Sequence, residues 1–168
     1  MRSARAFTLI ELLVVVVILA IVAAIVIPQF SNASQSARSS MLLDDLRILR
    51  TQIQVFKAQH LDVAPGYPGL DPTATPTEAD FVTHMTQAST AGGDTAAPGT
   101  DGYLFGPYMR EIPENPINGR TTVQVVADGE AFPAAADDSH GYVYQPESCT
   151  LKADSTGADD SGRSYFDY

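Results

Sequence analysis

Residues 7–27 read FTLIELLVVVVILAIVAAIVI, and this uninterrupted apolar run decides the architecture of the chain. It is 21 residues long, and its only polar members are Thr8 and Glu11. A helix needs about 20 mostly apolar residues to cross the hydrocarbon layer of a membrane. We therefore predict one transmembrane helix, with the rest of the protein attached to its C-terminal end.

The residues that precede the run predict its orientation. MRSARA carries Arg2 and Arg5 and no acidic residue, and positively charged flanks of this kind stay in the cytoplasm. A secretory signal peptide would have a shorter apolar core, followed by a small-x-small cleavage site. The run is too long for that, so we predict that the N-terminus is cytoplasmic and that the bulk of the chain lies outside.

Glu11 is the anomalous residue of the run. A carboxylate at membrane depth costs about 2.5–3.5 kcal/mol and usually has a partner, and we expect no group nearby in the run to supply one. Two interpretations follow. Either a neighbouring subunit brings the partner, or Glu11 snorkels to water and the segment is an ordinary signal anchor.

The segment AFTLIELLVV, residues 6–15, resembles the processing and assembly motif of type IV pilins and of the pseudopilins of type II secretion systems. The resemblance implies that a prepilin peptidase cuts between Ala6 and Phe7, methylates the new amine of Phe7, and leaves Glu11 as the fifth residue. The family usually has Gly before the cut, so Ala6 is a departure. Pro28 matches the proline that pilins carry near the end of the apolar run, and we predict a helix kink there.

Cleavage would create an ammonium group on Phe7. If this group lies beside Glu11 of a neighbouring subunit, the carboxylate gains a charge-assisted hydrogen bond. The resemblance therefore assigns residues 1–6 to a leader peptide and residues 7–28 to a transmembrane and assembly helix, with Glu11 as the assembly residue.

Apolar residues recur at intervals of three and four beyond this helix, which predicts an amphipathic stem helix over residues 29–61. Its apolar stripe, which we expect to pack on the protein's own sheet, consists of Leu42, Leu46, Leu49, Ile53 and Phe56. Residues 62–102 predict a variable loop with a short helix, capped by Thr77 and running to about Gln87, and an exposed loop from Ser89 to Gly102.

Residues 103–168 predict a small sheet followed by an acidic loop. The predicted strands are the β-branched run from Thr121 to Val126 and a hairpin of Tyr142–Gln145 with Thr150–Ala153. We expect an antiparallel sheet packed on the stem helix, and hence an α+β fold. The order of long helix, variable loop and short meander resembles the major pseudopilin.

The composition excludes some partners. The formal net charge is −10, with 20 acidic side chains, which argues against nucleic acid as a partner. Cys149 is the only cysteine of the chain, so an internal disulfide is impossible. We interpret it as a small buried residue rather than a reactive thiol or an intermolecular bridge.

The tail ADSTGADDSGRSYFDY contains four aspartates: Asp154, Asp159, Asp160 and Asp167. Calcium takes six to eight oxygen ligands, so an acid-rich glycine loop is a candidate site. Major pseudopilins carry a calcium-binding loop near the C-terminus, and STGAD resembles its core, so the resemblance implies calcium as a cofactor. The alternative is a solvated, frayed acidic terminus.

A search for catalytic motifs finds little, and we expect no enzyme. Asp138, Ser139 and His140 are consecutive, but a triad is recognised by convergence in space, so we interpret these residues as turn chemistry.

The resemblance implies a structural subunit of a type II secretion pseudopilus, a periplasmic filament that drives protein export. Its implied partners are further copies of itself, other pseudopilins, prepilin peptidase, and an inner-membrane assembly platform with its ATPase. One alternative is a type IV pilin or minor pilin used for adhesion, motility or DNA uptake. Another is a monomeric signal-anchored binding or sensor domain.

Overall fold

The computed structural model describes residues 7–168, with the backbone alone for residues 27–32. A single helix, α1, runs from Leu9 to Gln59 and carries both the predicted transmembrane and stem helices. The chain divides into two compact units, the first ending at Ala37 and the second formed by Arg38–Tyr168. The other elements are α2 (Glu78–Thr86), β1 (Ala88–Ser89), β2 (Thr95–Ala96), β3 (Val123–Val125), β4 (Tyr142–Gln145), β5 (Thr150–Ala153) and 3-10 turns at Pro68–Leu70 and Tyr165–Asp167.

The core of the second unit lies between α1, α2 and a three-stranded sheet. The predicted stripe of α1 is fully buried there, which confirms the amphipathic interpretation. Each such side chain contributes about 1.5–3 kcal/mol when it leaves water. The residues that meet this stripe include Phe81, Met85, Tyr142, Tyr144 and Leu151. The fold is α+β and pilin-like, as predicted.

The sheet has the order β3-β4-β5 and is mixed. Strands β4 and β5 are antiparallel, with Tyr142 opposite Ala153, and their bounds are those predicted. The expectation of a wholly antiparallel sheet is wrong for β3, because β3 pairs in parallel with β4. A long excursion separates these two strands and returns the chain to the start of β3, which a tight hairpin could not do.

The close approach of the start of β4 to the residues before β3 requires glycine at position 141. A Cβ atom at this position would lie 2.4 Å from the carbonyl oxygen of Arg120. The Gly141 amide instead donates to the carbonyl oxygen of Thr122 at 2.8 Å, which holds the start of β4 beside β3.

Helix α2 begins as its sequence predicts. The Thr77 hydroxyl accepts a hydrogen bond from the Asp80 amide at 3.1 Å, so Thr77 is the N-cap. The Glu78 carboxylate accepts from the Val123 amide at 2.7 Å and ties α2 to β3. The segment predicted as an exposed loop from Ser89 to Gly102 differs, because β1 and β2 form a short antiparallel pair there.

The C-terminal tail is anchored to α1. The Arg50 guanidinium donates to the carbonyl oxygens of Leu151 and Tyr168, each at 2.8 Å. Tyr165 and Phe166 are buried. The alternative of a frayed terminus is therefore wrong for these last residues, because the half-buried Arg50 guanidinium and two buried aromatic rings hold them.

Cys149 lies half-buried in the turn between β4 and β5. Its thiol donates to the carbonyl oxygen of Pro146 at 3.4 Å, and its φ is +50°. Cys149 is thus a half-buried turn residue rather than the small buried residue that we predicted.

His84 makes the stability of the fold depend on pH. Burial lowers the pKa of His84 to about 4, and its Nδ1 accepts a hydrogen bond from the Gly66 amide at 3.2 Å. Below pH 6.5 the unfolded chain binds a proton that the folded chain does not, so stability falls as pH drops from 6.5 towards 4, by up to about 3 kcal/mol.

We expect the melting temperature of the detergent-solubilised chain to fall across this pH range, and to fall less in His84→Gln. The difference between the two proteins isolates His84 from the carboxylates, which titrate in both. Equal slopes for the wild type and His84→Gln would contradict the assignment.

Candidate processing and assembly site

The first turn of α1 places Thr8 and Glu11 in a reciprocal pair. The Thr8 amide and hydroxyl both donate to Oε2 of Glu11, at 3.0 and 2.8 Å. The Glu11 amide in turn donates to the Thr8 hydroxyl at 3.3 Å. This is a capping box, in which two otherwise unpaired amides at the start of a helix are satisfied.

The expectation that Glu11 has no partner nearby in the run is therefore wrong. Thr8 supplies two donors, and the helix N-terminus also favours a negative charge at this position. The Thr-x-x-Glu spacing was the sequence signal that could have revealed the pair. Oε1 of Glu11 accepts no hydrogen bond from any described residue, so half of the carboxylate can still take a donor from outside the chain.

The structure describes only some of the other residues predicted to act in processing and assembly. Ala6 lies outside the described residues, whereas Phe7 is 78 % exposed just before the helix. The helix continues through Pro28, whose side chain is not among those described, and the kink stays a prediction.

The part of α1 from Leu9 to Val26 is not covered by any described residue of the chain. Every large apolar side chain from Leu9 to Val26 is exposed. Among the described residues, this one segment is long and apolar enough to cross a membrane. Such a surface requires lipid or other helices around it.

Comparison with known proteins agrees with this geometry. Residues 1–27 match the family model of the prokaryotic N-terminal methylation motif. The chain is 28 % identical to type II secretion system core protein G of Klebsiella pneumoniae over 116 residues, which is 69 % of this chain and 71 % of that protein. These matches support the pseudopilin superfamily.

Two further relatives carry the same description. Core protein G of Aeromonas hydrophila is 28 % identical over 115 residues, covering 68 % of each chain. Core protein G of Pseudomonas aeruginosa is 33 % identical over 70 residues, covering 42 % of this chain and 49 % of the relative. No solved structure gives a significant match.

The C-terminal loop of this chain is organised by Asp159. Its Oδ1 accepts from the Ser161 amide at 2.8 Å, the Ser161 hydroxyl at 2.6 Å and the Arg163 amide at 3.0 Å. Its Oδ2 accepts from the Tyr168 hydroxyl at 2.7 Å. The hydrogen bonds from Ser161 and Tyr168 hold the pKa of Asp159 well below its usual range.

The other predicted calcium ligands are not gathered around Asp159. Asp154 is buried, and its carboxylate accepts from the amides of Asp137 and His140 at 2.9 and 2.8 Å. Asp167 forms an ion pair with Lys152 at 3.7 Å, and Asp160 is exposed.

These residues do not form a ready calcium site. Within the described part of the chain, no three His, Cys, Asp or Glu side chains are grouped so that they could hold a metal ion. A cation at Asp159 would have to displace protein donors that already occupy both oxygens. Calcium binding stays a prediction that this arrangement does not favour.

Ser139 and His140 also make hydrogen bonds that stabilise their loop. The Ser139 hydroxyl lies 2.8 Å from Nδ1 of His140 and 3.2 Å from Oδ2 of Asp154. In a catalytic triad the histidine lies between the serine and the acid, whereas here the serine lies between the other two. This arrangement agrees with turn chemistry.

The C-terminal loop gives a direct test of the calcium prediction. We expect the melting temperature of the purified chain to be the same in EDTA and in calcium, because Asp159 is satisfied by protein donors. Asp159→Asn should lower it by a few degrees in both solutions, whereas the exposed control Asp101→Asn should not. A calcium-dependent rise that Asp159→Asn abolishes would instead establish the metal site.

Proposed function

We propose that this chain is a structural subunit of a type II secretion pseudopilus, cut by prepilin peptidase between Ala6 and Phe7 and methylated on Phe7. The subunits polymerise into a periplasmic filament that drives protein export. The observation that carries the proposal is the half-satisfied Glu11 carboxylate at the head of a long, uncovered apolar helix. The relatives named core protein G support the secretion system over an adhesive pilus.

The chemistry of assembly follows from the first turn. Thr8 holds the carboxylate of Glu11 through Oε2 alone, so the subunit is stable in the membrane before it meets a partner. Cleavage turns the Phe7 amide nitrogen into an ammonium. When a neighbouring copy brings this ammonium to Oε1, the charges pair in a medium of low dielectric, where such a bond is strong.

The membrane anchor sets the route of assembly. Arg2 and Arg5 support an N-terminus in the cytoplasm and an outer domain in the periplasm, with a single pass through the inner membrane. Subunits leave the membrane for the growing filament through an assembly platform driven by its ATPase, together with other pseudopilins. Nucleic acid is not a partner, because the outer domain is strongly acidic.

The work of the protein is mechanical rather than catalytic. Its described residues contain no triad geometry at Ser139 and His140, and the energy for movement comes from the ATPase. A growing rod that pushes folded cargo towards an outer-membrane pore needs only stiffness and repeated subunit contacts.

Processing can be read from the mass of the protein. Mass spectrometry of the chain extracted from membranes of a prepilin-peptidase-positive host should show an N-terminus at Phe7 that carries one methyl group. The same chain from a host without the peptidase should retain Met1–Ala6. Retention of the leader in both hosts would contradict the proposal and favour the signal-anchored domain.

Glu11→Val tests assembly. The substitution removes the membrane cost of the carboxylate, so the chain should insert at normal levels, but filament formation and export should fall about tenfold or more because the ammonium of the next subunit loses its partner. Glu11→Gln, which can still accept from Thr8, should fail in the same way. Normal filaments and normal export with Glu11→Val would reject the assembly role, and loss of long surface fibres without loss of export would favour a type IV pilin.

A further inference from the structure

The C-terminal loop, residues 157–168, is closed by contacts within the chain. The chain has a single cysteine, so no internal disulfide holds this loop. Ala158 and Ser164 form an antiparallel bridge, and the Asp159 amide donates to the carbonyl oxygen of Arg163 at 2.9 Å. The first part of the loop is therefore a small hairpin, and Asp159 lies at the start of its turn.

Tyr168 joins this hairpin to the stem part of α1. Its hydroxyl donates to Oδ2 of Asp159 at 2.7 Å, and its carbonyl oxygen accepts from the Arg50 guanidinium at 2.8 Å. Tyr168 is buried, and the centroid of its ring lies 5.6 Å from that of Tyr165, in an edge-on contact. One residue thus connects the carboxylate of the hairpin with the helix.

Two arginines donate to oxygens of the kind that a metal ion would use. The Arg163 guanidinium donates to the carbonyl oxygen of Asp167 and lies 4.8 Å from the centroid of the Tyr168 ring. Arg50 donates to the next carbonyl oxygen along the chain, that of Tyr168. Calcium takes carboxylate and carbonyl oxygens as ligands. Because both guanidinium groups are permanently charged, a divalent ion here would add positive charge where two cations already lie.

The carboxylates of the loop are engaged as well. Both oxygens of Asp159 accept hydrogen bonds from the chain, from Ser161 and Arg163 at Oδ1 and from Tyr168 at Oδ2. Asp167 pairs with Lys152, whose ammonium lies 4.4 Å from the centroid of the Phe166 ring. A metal ion would have to break these contacts before it could bind.

We propose that Asp159, Arg163 and Tyr168, together with Arg50 of α1, close the C-terminal loop in place of a metal ion. We call these four residues the C-terminal latch. They do not fit the calcium site that the family resemblance implies, and the outer domain reaches its fold without calcium. The latch lies within the outer domain, so its existence does not depend on assembly into a filament.

Calorimetric titration with calcium chloride tests the part of the proposal that concerns the metal. We expect the heat of titration of the EDTA-treated, detergent-solubilised chain to be the same for the wild type and for Asp159→Asn. The titration should extend to about 1 mM calcium, the weak end of the range for extracellular calcium modules. Saturable heat that the wild type shows and Asp159→Asn lacks would overturn the proposal.

Tyr168→Phe tests the hydrogen bond of the latch, because it removes the hydroxyl and keeps the ring. The melting temperature should fall by a few degrees, equally in EDTA and in calcium. The double variant with Asp159→Asn should lose less than the sum of the two single variants, since both break the same hydrogen bond. The control Tyr103→Phe, at a half-buried tyrosine outside the loop, should melt at the wild-type temperature.

Arg163→Ala tests the cation of the latch. It should lower the melting temperature by a few degrees, because the Tyr168 ring loses its guanidinium partner and the Asp167 carbonyl oxygen loses a donor. The exposed control Arg110→Ala should leave the melting temperature unchanged.

Three results would count against the latch. The first is that the effects of Asp159→Asn and Tyr168→Phe add in full. The second is a wild-type melting temperature for both Tyr168→Phe and Arg163→Ala. The third is recovery of either of these two variants by calcium, which would show that a metal ion can close the loop.

Discussion

The hydrogen bonding of the Glu11 carboxylate is the constraint on which the apolar helix of this protein depends. Glu11 sits in the first turn of an apolar helix, where an unpaired charge would cost several kcal/mol. Thr8 satisfies one of its oxygens through the capping box and leaves the other open. In the assembly that we propose, the single subunit is stable in the bilayer and still gains free energy when a neighbour pairs with the open oxygen, which a fully paired acid would not allow.

The outer domain depends on the other half of the same helix. The buried stripe of α1 forms the base of the core, and Arg50 fastens β5 and the last residue to it. Because the sheet is small, the domain needs these polar ties. Asp154 and Asp159 act in the same way, because each carboxylate accepts several hydrogen bonds from loop residues. The acidic composition of the tail thus serves loop closure, with the carboxylates as acceptors rather than as a charged surface alone.

Some parts of the fold could be predicted because their signals are local. The hairpin Tyr142–Gln145 and Thr150–Ala153 was predicted at its observed bounds, and the cap at Thr77 was predicted from three residues. The parallel pairing of β3 with β4 could not be predicted from the sequence. It depends on the long connection between the two strands and on the close contact of the Gly141 backbone with Arg120. The positions of the predicted calcium ligands could not be read from the sequence for a similar reason. Residues that are adjacent in sequence, such as Asp159 and Asp160, can have different environments in a folded loop.

The sequence by itself determined the long apolar helix, the resemblance to pseudopilins and the buried stripe of the stem, because run length, periodicity and short motifs act within one helix. Only the tertiary structure decided which helix faces remain uncovered. Met41, Ile48 and Val55 of α1 are as apolar as the buried stripe, and their exposure depends on where the sheet packs. Burial is a property of the assembled surfaces, so no local pattern along the chain can distinguish a face that the domain covers from one that it leaves exposed.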